Sequence, residues 1–320
     1  MSYLFLIVGF ALLTIAANWL INGASSLAKR LNISDLVIGL TIVAFGTSAP
    51  ELVVNIIAAS EGSSDIALTN ILGSNIINTL IILGVSAVIY PVACKRSTYR
   101  IEIPLSALAG LAVLILGTNF FGSITFGETY NGLSRLDGII LLIIFVFFCA
   151  YTIYQGLHNR ESDEESFEAM PIWKSLLLII IGLTGLIYGG ELIVSNAVSI
   201  AKGLGINESI IGVTIVALGT SLPELATSAV AAFKKNTDLA IGNVIGSNIF
   251  NVFFVLGLSA VINPLTSYQN LQIDAIMAAG SSMLLLIFIA LSRKRNINIY
   301  AGISMLTIYG IYLAWILTTI

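Results

Sequence analysis

Apolar residues along this chain come in long runs, without the polar face that a water-soluble helix or strand keeps. Ten such stretches occupy residues 3–28, 34–60, 66–90, 102–117, 137–157, 172–201, 208–233, 239–262, 272–291 and 297–319. Most are long enough to cross a hydrocarbon core, which takes about 20 residues of helix. One long hydrophilic stretch interrupts them, His158 to Met170, where Arg160, Glu161, Asp163, Glu164, Glu165 and Glu168 crowd together. It reads as a solvated linker, 158–171, between two five-helix halves at 1–157 and 172–320. The expected fold is an all-α polytopic membrane protein with ten transmembrane helices.

The halves repeat one another. A shift of 173 residues carries Lys29 through Pro91 onto Lys202 through Pro264 without a gap. Ile38 to Leu52 (IGLTIVAFGTSAPEL) falls on Ile211 to Leu225 (IGVTIVALGTSLPEL) with twelve of fifteen positions identical. Asn70 to Asn78 (NILGSNIIN) falls on Asn243 to Asn251 (NVIGSNIFN) with six of nine identical. An odd number of helices per copy makes the second copy enter the membrane from the opposite side. Such inverted repeats are common in secondary transporters, whose substrate sites lie at the repeat interface near the midplane.

Charge orients this arrangement. Twelve basic residues fall on one side: Lys29, Arg30, Lys95, Arg96, Arg100, Arg160, Lys174, Lys234, Lys235, Arg293, Lys294 and Arg295. Arg135 and Lys202 alone fall on the other. The positive-inside rule then puts the linker in the cytoplasm and both termini outside, with the cell membrane as the expected location. Composition agrees: 57% of the 320 residues are apolar and 10% charged, against about 25% charged in a soluble domain. A net charge of −3 with scattered Lys and Arg gives no nucleic-acid footprint. No obligate protein partner is evident; the surroundings are lipid. Cys94 and Cys149 offer neither a disulfide framework nor a metal-ligand spacing. The first run exceeds signal length and no basic residue precedes it, so a cleaved leader is not expected.

An ionisable side chain at bilayer depth costs about 2.5–3.5 kcal/mol on insertion scales and points to function. Glu51 and Glu224, related by the repeat, follow Pro50 and Pro223 in GTSAPE and GTSLPE. Proline has no N–H, so the carbonyls of Gly46 and Gly219 lose their helical partners and the helices should break or kink there. Carbonyls near Ala44, Gly46, Thr47, Ala217, Gly219 and Thr220, with the hydroxyls of Thr47, Ser48, Thr220 and Ser221, would surround two carboxylates. All are hard oxygens, and Ca²⁺ takes about 6–8 of them. On helix 3, Asn70, Ser74 and Asn78 share a face, as do Asn243, Ser247 and Asn251 on helix 8. Gly73 and Gly246 would allow close helix approach. Such Ser and Asn residues also serve as interhelical glue. The repeat counterpart of Glu191 is Asn18; after Gly189 and Gly190 Glu191 reads as a packed polar contact, with a place on the ion path as the second reading. Asp35, Asp65, Glu208 and Asp238 read as helix N-caps, Cys149 as a small core residue and His158 as part of the linker.

GTSAPEL and GTSLPEL, followed by GSNIIN and GSNIFN, resemble the two alpha repeats of the cation/calcium exchanger superfamily, in particular its prokaryotic sodium/calcium exchanger-like branch. The resemblance covers essentially the whole chain. It implies alternating access, with helices 1 and 6 sliding across the other eight. It places calcium ligands on the Glu51 and Glu224 side chains and the Thr47 and Thr220 carbonyls. Sodium sites fall on Ala44, Ser48, Ser74, Ala217, Ser221 and Ser247, and Asn78 and Asn251 complete the centre. Asn251 stands where the sodium/calcium pattern often carries aspartate, which leaves two strong anions.

The expected function is a secondary active antiporter exchanging Ca²⁺ for Na⁺ or H⁺, with no resident cofactor. Two carboxylates are discharged equally by two Na⁺ or two H⁺, so either counter-ion fits. A passive cation channel is the alternative, but channels favour axial, ring-like filters. An intramembrane enzyme ranks below both, because GxSxG, HExxH and a nearby His base are all missing.

Overall fold

A computed structural model describes residues 1–118, 132–158, 169–206, 211, 214, 215 and 217–319. Eight helices in it are long and apolar enough to cross a membrane. They are α1 (Ser2–Leu31), α3 (Ser64–Ile89), α4 (Thr98–Gly117), α5 (Arg135–His158), α6 (Ile172–Gly203), α8 (Thr237–Ile262), α9 (Leu271–Leu291) and α10 (Ile299–Thr319). A ninth, α2, is a bent pair, Asp35–Thr47 and Ala49–Ser60, with 48° between its parts. The tenth place belongs to α7, described as Ala217–Gly219 and Leu222–Phe233. Most of the residues expected before it, Glu208 included, lie outside the described set, as does 159–168 of the linker.

Inversion is visible in the loops. Strand β1 (Val92–Ala93) pairs antiparallel with β4 (Asn296–Ile297), and β2 (Gly132–Leu133) with β3 (Leu265–Thr266). The repeat shift carries β1 onto β3, so one clip ties the basic-face loops and its mirror image ties the opposite ones. The basic face is further joined by Lys95 to Asp238 (2.7 Å) and Arg295 to the Tyr99 hydroxyl (2.9 Å).

Buried apolar residues form two clusters. The larger draws on α2–α5 and α7–α10 and contains nothing from α1 or α6. The smaller is centred on α1 and α6, through Leu13, Ala16, Ala17, Leu20, Ile179, Leu186 and Ile193, and takes in Ile38 and Val43 of α2, Ala231 of α7 and Leu239 and Ala240 of α8 where the pair seats on the other helices. Lipid supplies no hydrophobic drive for helix pairing, so close packing of small residues does the work. At Gly182 an added Cβ would lie 2.7 Å from the Leu20 nitrogen, and at Gly9 2.7 Å from Ile193. A two-helix unit packed on itself and set against an eight-helix body is the division expected of a slider and its core.

Several local expectations are corrected. Ser34 and Asn236 are the caps, accepting from the Val37 and Leu239 amides. Asp35, one residue further in, accepts hydrogen bonds from Ser25 and Asn236 across the helix ends, and Asp238 pairs with Lys95. Ser63 holds the cap position of α3 without a side-chain bond, so Asp65 is not its cap. His158 closes α5 and stacks on Tyr154. Gly246 does admit a close neighbour, its virtual Cβ 2.6 Å from the Leu40 carbonyl, whereas Gly73 meets nothing within 4 Å among the described residues.

Candidate ion-binding site

The site begins with the two prolines. In α2 the chain leaves helical geometry at Ser48 (φ −83°, ψ 11°) and resumes at Ala49 with Pro50 in the new first turn. In α7 the same happens at Ser221 (φ −88°, ψ 5°) ahead of Pro223. Each break puts a glutamate, Glu51 or Glu224, in the first turn of a half-helix. That is the positive end of the helix dipole, which favours a carboxylate. The preceding half-helices, Ala44–Thr47 and Ala217–Gly219, end beside them with carbonyls that favour a cation.

Both carboxylates are completely buried. Their Oε1 atoms are held crosswise between repeats. Ser48 Oγ of α2 donates to Glu224 Oε1 (2.8 Å), and Ser221 Oγ of α7 donates to Glu51 Oε1 (3.4 Å). Ser74 of α3 adds a bond to Glu51 (3.4 Å), and Ser247 of α8 adds one to Glu224 (3.5 Å). Ser247 also reaches the Ala44 carbonyl at 3.4 Å. Ser48, Ser74, Ser221, Ser247 and the Ala44 carbonyl thus converge on the two glutamates. Of Ala217 only the backbone is described, in the last turn of its half-helix.

Asn78 and Asn251 lie one turn beyond Ser74 and Ser247, where α3 and α8 widen into π-helical turns at Asn78–Ile82 and Phe250–Leu256. Such turns re-aim side chains and are frequent at functional sites. Both are fully buried, and their amide nitrogens are occupied. Asn78 Nδ2 donates to Asn248 Oδ1, and Asn251 Nδ2 to Asn75 Oδ1, both at 3.1 Å. Asn248 is itself anchored by Thr79 (2.8 Å) and Ser106 (3.4 Å). Among the described residues, four buried oxygens of these glutamates and asparagines have no hydrogen-bond partner: Glu51 Oε2, Glu224 Oε2, Asn78 Oδ1 and Asn251 Oδ1. An unsatisfied buried polar atom costs about 1–3 kcal/mol, and four in one polar centre need an occupant. No group of three or more His, Cys, Asp or Glu exists among the described residues, so a cation here takes two carboxylates and otherwise neutral oxygens.

Asn75 and Asn248 were missed in the sequence reading, although the duplicated GSN carries both. Asn70 turns away from the centre, whereas Asn243 borders it, its Nδ2 also reaching the Glu224 carbonyl at 3.4 Å. Asn70 donates to Asn55 (2.7 Å), and Asn243 to Ser228 (3.0 Å), so both act as glue. Asn243 Oδ1 also accepts from the Thr47 hydroxyl (3.1 Å), whereas the hydroxyl of the repeat mate Thr220 has no partner among the described residues. Glu191 is not packed as a polar contact. It lines a cavity of about 550 Å³ together with Pro50, Val53, Val194, Thr220 and Pro223.

That cavity lies between α6, the Ala49–Ser60 half of α2 and the break in α7, on the side away from the basic loops. At its mirror position α1 lies against α7, with Leu222, Ala226 and Val230 packed on the α1 cluster. Two buried carboxylates where broken helices from inverted halves cross, with a cavity ending at one of the two breaks, define a secondary active cation transporter.

Comparison with known proteins agrees. The sodium/calcium exchanger protein family matches residues 1–154 and 174–318. CaxA of Alkalimonas amylolytica is 39% identical over 312 residues, 95% of this chain and 94% of that protein. The sodium/calcium exchanger MaX1 of Methanosarcina acetivorans is 33% identical over 351 residues, covering 98% and 97%. The structure of the sodium-calcium exchanger NCX_Mj soaked with Na⁺ and Sr²⁺ superposes with a TM-score of 0.83 at 32% identity, covering 98% of this chain and 97% of that one. The chain belongs to the sodium/calcium exchanger family of the cation/calcium exchanger superfamily. It is an alternating-access antiporter of ten helices in two inverted repeats, a transporter and not an enzyme.

Proposed function

We propose that the protein exchanges Ca²⁺ for Na⁺ or H⁺ through one central site, with Ca²⁺ held by Glu51 and Glu224. The four unpartnered buried oxygens at the crossing of the two helix breaks carry this reading. Oε2 of each glutamate and Oδ1 of Asn78 and Asn251 are ligands, with the carbonyls of Thr47 and Thr220 completing the set. Ser48, Ser74, Ser221, Ser247 and the carbonyls of Ala44 and Ala217 serve the monovalent ion. Two carboxylates neutralise one Ca²⁺, and the empty site carries charge that is costly to move past the apolar barrier. Movement therefore requires an occupant, which makes exchange obligatory. Halves 1–157 and 172–320 supply one set of ligands each, joined by the linker 158–171. The basic face is cytoplasmic and both termini lie outside, in the cell membrane, so the described cavity opens outward.

The test is Ca²⁺ uptake by proteoliposomes under a Na⁺ gradient with pH clamped, then under a pH gradient without Na⁺. One gradient is expected to drive uphill uptake, and Glu51→Gln or Glu224→Gln to reduce it at least 100-fold. Near-normal exchange by either variant overturns the assignment; downhill flux alone would mean a channel.

A further inference from the structure

The outward cavity has walls that are almost wholly apolar, yet Glu191 stands in them. It is the one ionisable residue lining the cavity among those described. On α6, Ile187, Gly190, Glu191, Val194 and Ser195 line the cavity, the spacing of a single helix face. Glu191 is exposed there, and no hydrogen bond or ion pair holds it among the described residues. The deeper end of the cavity reaches Gly219, Thr220 and Pro223, at the helix break that carries Glu224. The Thr220 hydroxyl is also unpartnered. A carboxylate at bilayer depth without a partner has no structural task, and its cost implies a functional one.

We propose that Glu191 is a vestibule carboxylate. It is a transient cation-binding position between the outer solution and the central site, and it selects by valence. The selection is electrostatic. A charge in a cleft with low-dielectric walls focuses its field along the cleft and raises the local cation concentration. That enrichment is exponential in ion charge, so the factor for a divalent ion is the square of the factor for a monovalent one. The repeat mate of Glu191 is Asn18, so the mouth that opens when α1 leaves α7 has no such charge. The next pair goes further and inverts the sign: Glu61 ends α2 on the outer face, and its mate Lys234 ends α7 on the basic face. The two mouths thus differ although the site between them is nearly symmetric.

This inference rests on the central-site reading, and the test separates them. Exchange is measured from each face separately, in right-side-out and inside-out vesicles at low ionic strength. Glu191→Gln is expected to raise the outer-face KM for Ca²⁺ about ninefold and that for the monovalent counter-ion about threefold. Both differences should shrink in high salt, with the maximal rate and the basic-face KM unchanged. Adding Ser195→Asp to Glu191→Gln restores a carboxylate one turn along the same face and should recover most of the loss. Equal changes for the two ions, equal changes from both faces, or no change would each overturn the vestibule role and leave the central site standing. Failure of the wild-type protein to exchange Ca²⁺ at all would overturn the central-site reading instead.

Discussion

The two ends of the transport path are built from nearly the same sequence and packed in opposite ways. On the basic side, α1 covers the inner half of α7, so Ala226 and Val230 are half-buried. Their mates on the Ala49–Ser60 half of α2, Val53 and Ile57, are 56% and 51% exposed, and Val53 lines the cavity. Thr47 is hydrogen-bonded to Asn243 on the closed side, while Thr220 on the open side is unpartnered. Between them the carboxylates have zero exposure at both breaks. An inverted repeat therefore supplies two equivalent gates, and a conformational state is the choice of which one is packed. Because α1 and α6 form one cluster through their glycines and alanines, they move together, and closing one side opens the other.

The sharpest way to break this comparison is thiol accessibility. Val53→Cys should react with a membrane-impermeant thiol reagent from the outer face at least about 30-fold faster than its mate Ala226→Cys reacts from the basic face. The native thiols do not interfere. Cys94 is buried, and burial together with the neighbouring Asp238 pushes its thiol up to about 12, far from the reactive thiolate. Cys149 lies within α5 and is replaced by Ala for the measurement. Equal rates at the two positions would mean that the molecule does not rest with its outer side open.

A second contrast lies inside the site, between the asparagines that hold Asn78 and Asn251. Asn248 is bonded by Asn78, Thr79 and Ser106, and its carbonyl by Asn75 (3.0 Å). Asn75 has only Asn251 and that carbonyl. The imbalance is in the sequence, since Val252 stands where Thr79 would repeat. Asn248→Ala should weaken apparent Ca²⁺ affinity about tenfold and Asn75→Ala about threefold, with each lost bond worth roughly 1 kcal/mol. Isothermal binding of Ca²⁺ to purified protein reads both; equal losses would mean that the anchoring is irrelevant.

Much of this was legible beforehand, and the physical reason is duplication. Costly features such as Pro-Glu at bilayer depth stand out when they occur twice at a fixed shift, and apolar runs locate spans to within a few residues. The asparagine pair was not read, because attention to an unbroken helix face grouped Asn70 with Ser74 and Asn78. Asn75 and Asn248 sit on regular helix just ahead of the π-turns that carry Asn78 and Asn251, and they reach the polar centre by bonding across repeats, which a one-helix pattern does not register. The caps were misplaced by one or two residues, since Ser34 and Asn236 hold the cap positions while Asp35 and Asp238 pair across helix ends. Which gate is closed was not legible at all, since twelve of fifteen identical positions cannot specify opposite packing. Only positions outside the motifs break the symmetry.

Lys234 is one of those positions, and its effect should be the smallest. Its Nζ donates to Asn22 Oδ1 of α1 at 2.7 Å, a bond between slider and core on the closed side. The mates of this pair, Glu61 and Ser195, record no such bond across the open side. Partial burial lowers the Lys234 pKa, so its ammonium loses some hydration to hold this position. An exposed charge-assisted bond of this kind contributes on the order of 1 kcal/mol. Lys234→Met keeps the aliphatic stem against α1 and removes the donor, so it should shift the balance of states about fivefold toward an open basic side. The measurement is the labelling ratio of the same two cysteines, with the rate at Ala226→Cys rising and that at Val53→Cys falling. A rise at Ala226→Cys alone would indicate local fraying of α7. Reciprocal movement of both rates would show that one hydrogen bond on the closed gate is felt at the open one, as a rigid α1–α6 unit requires.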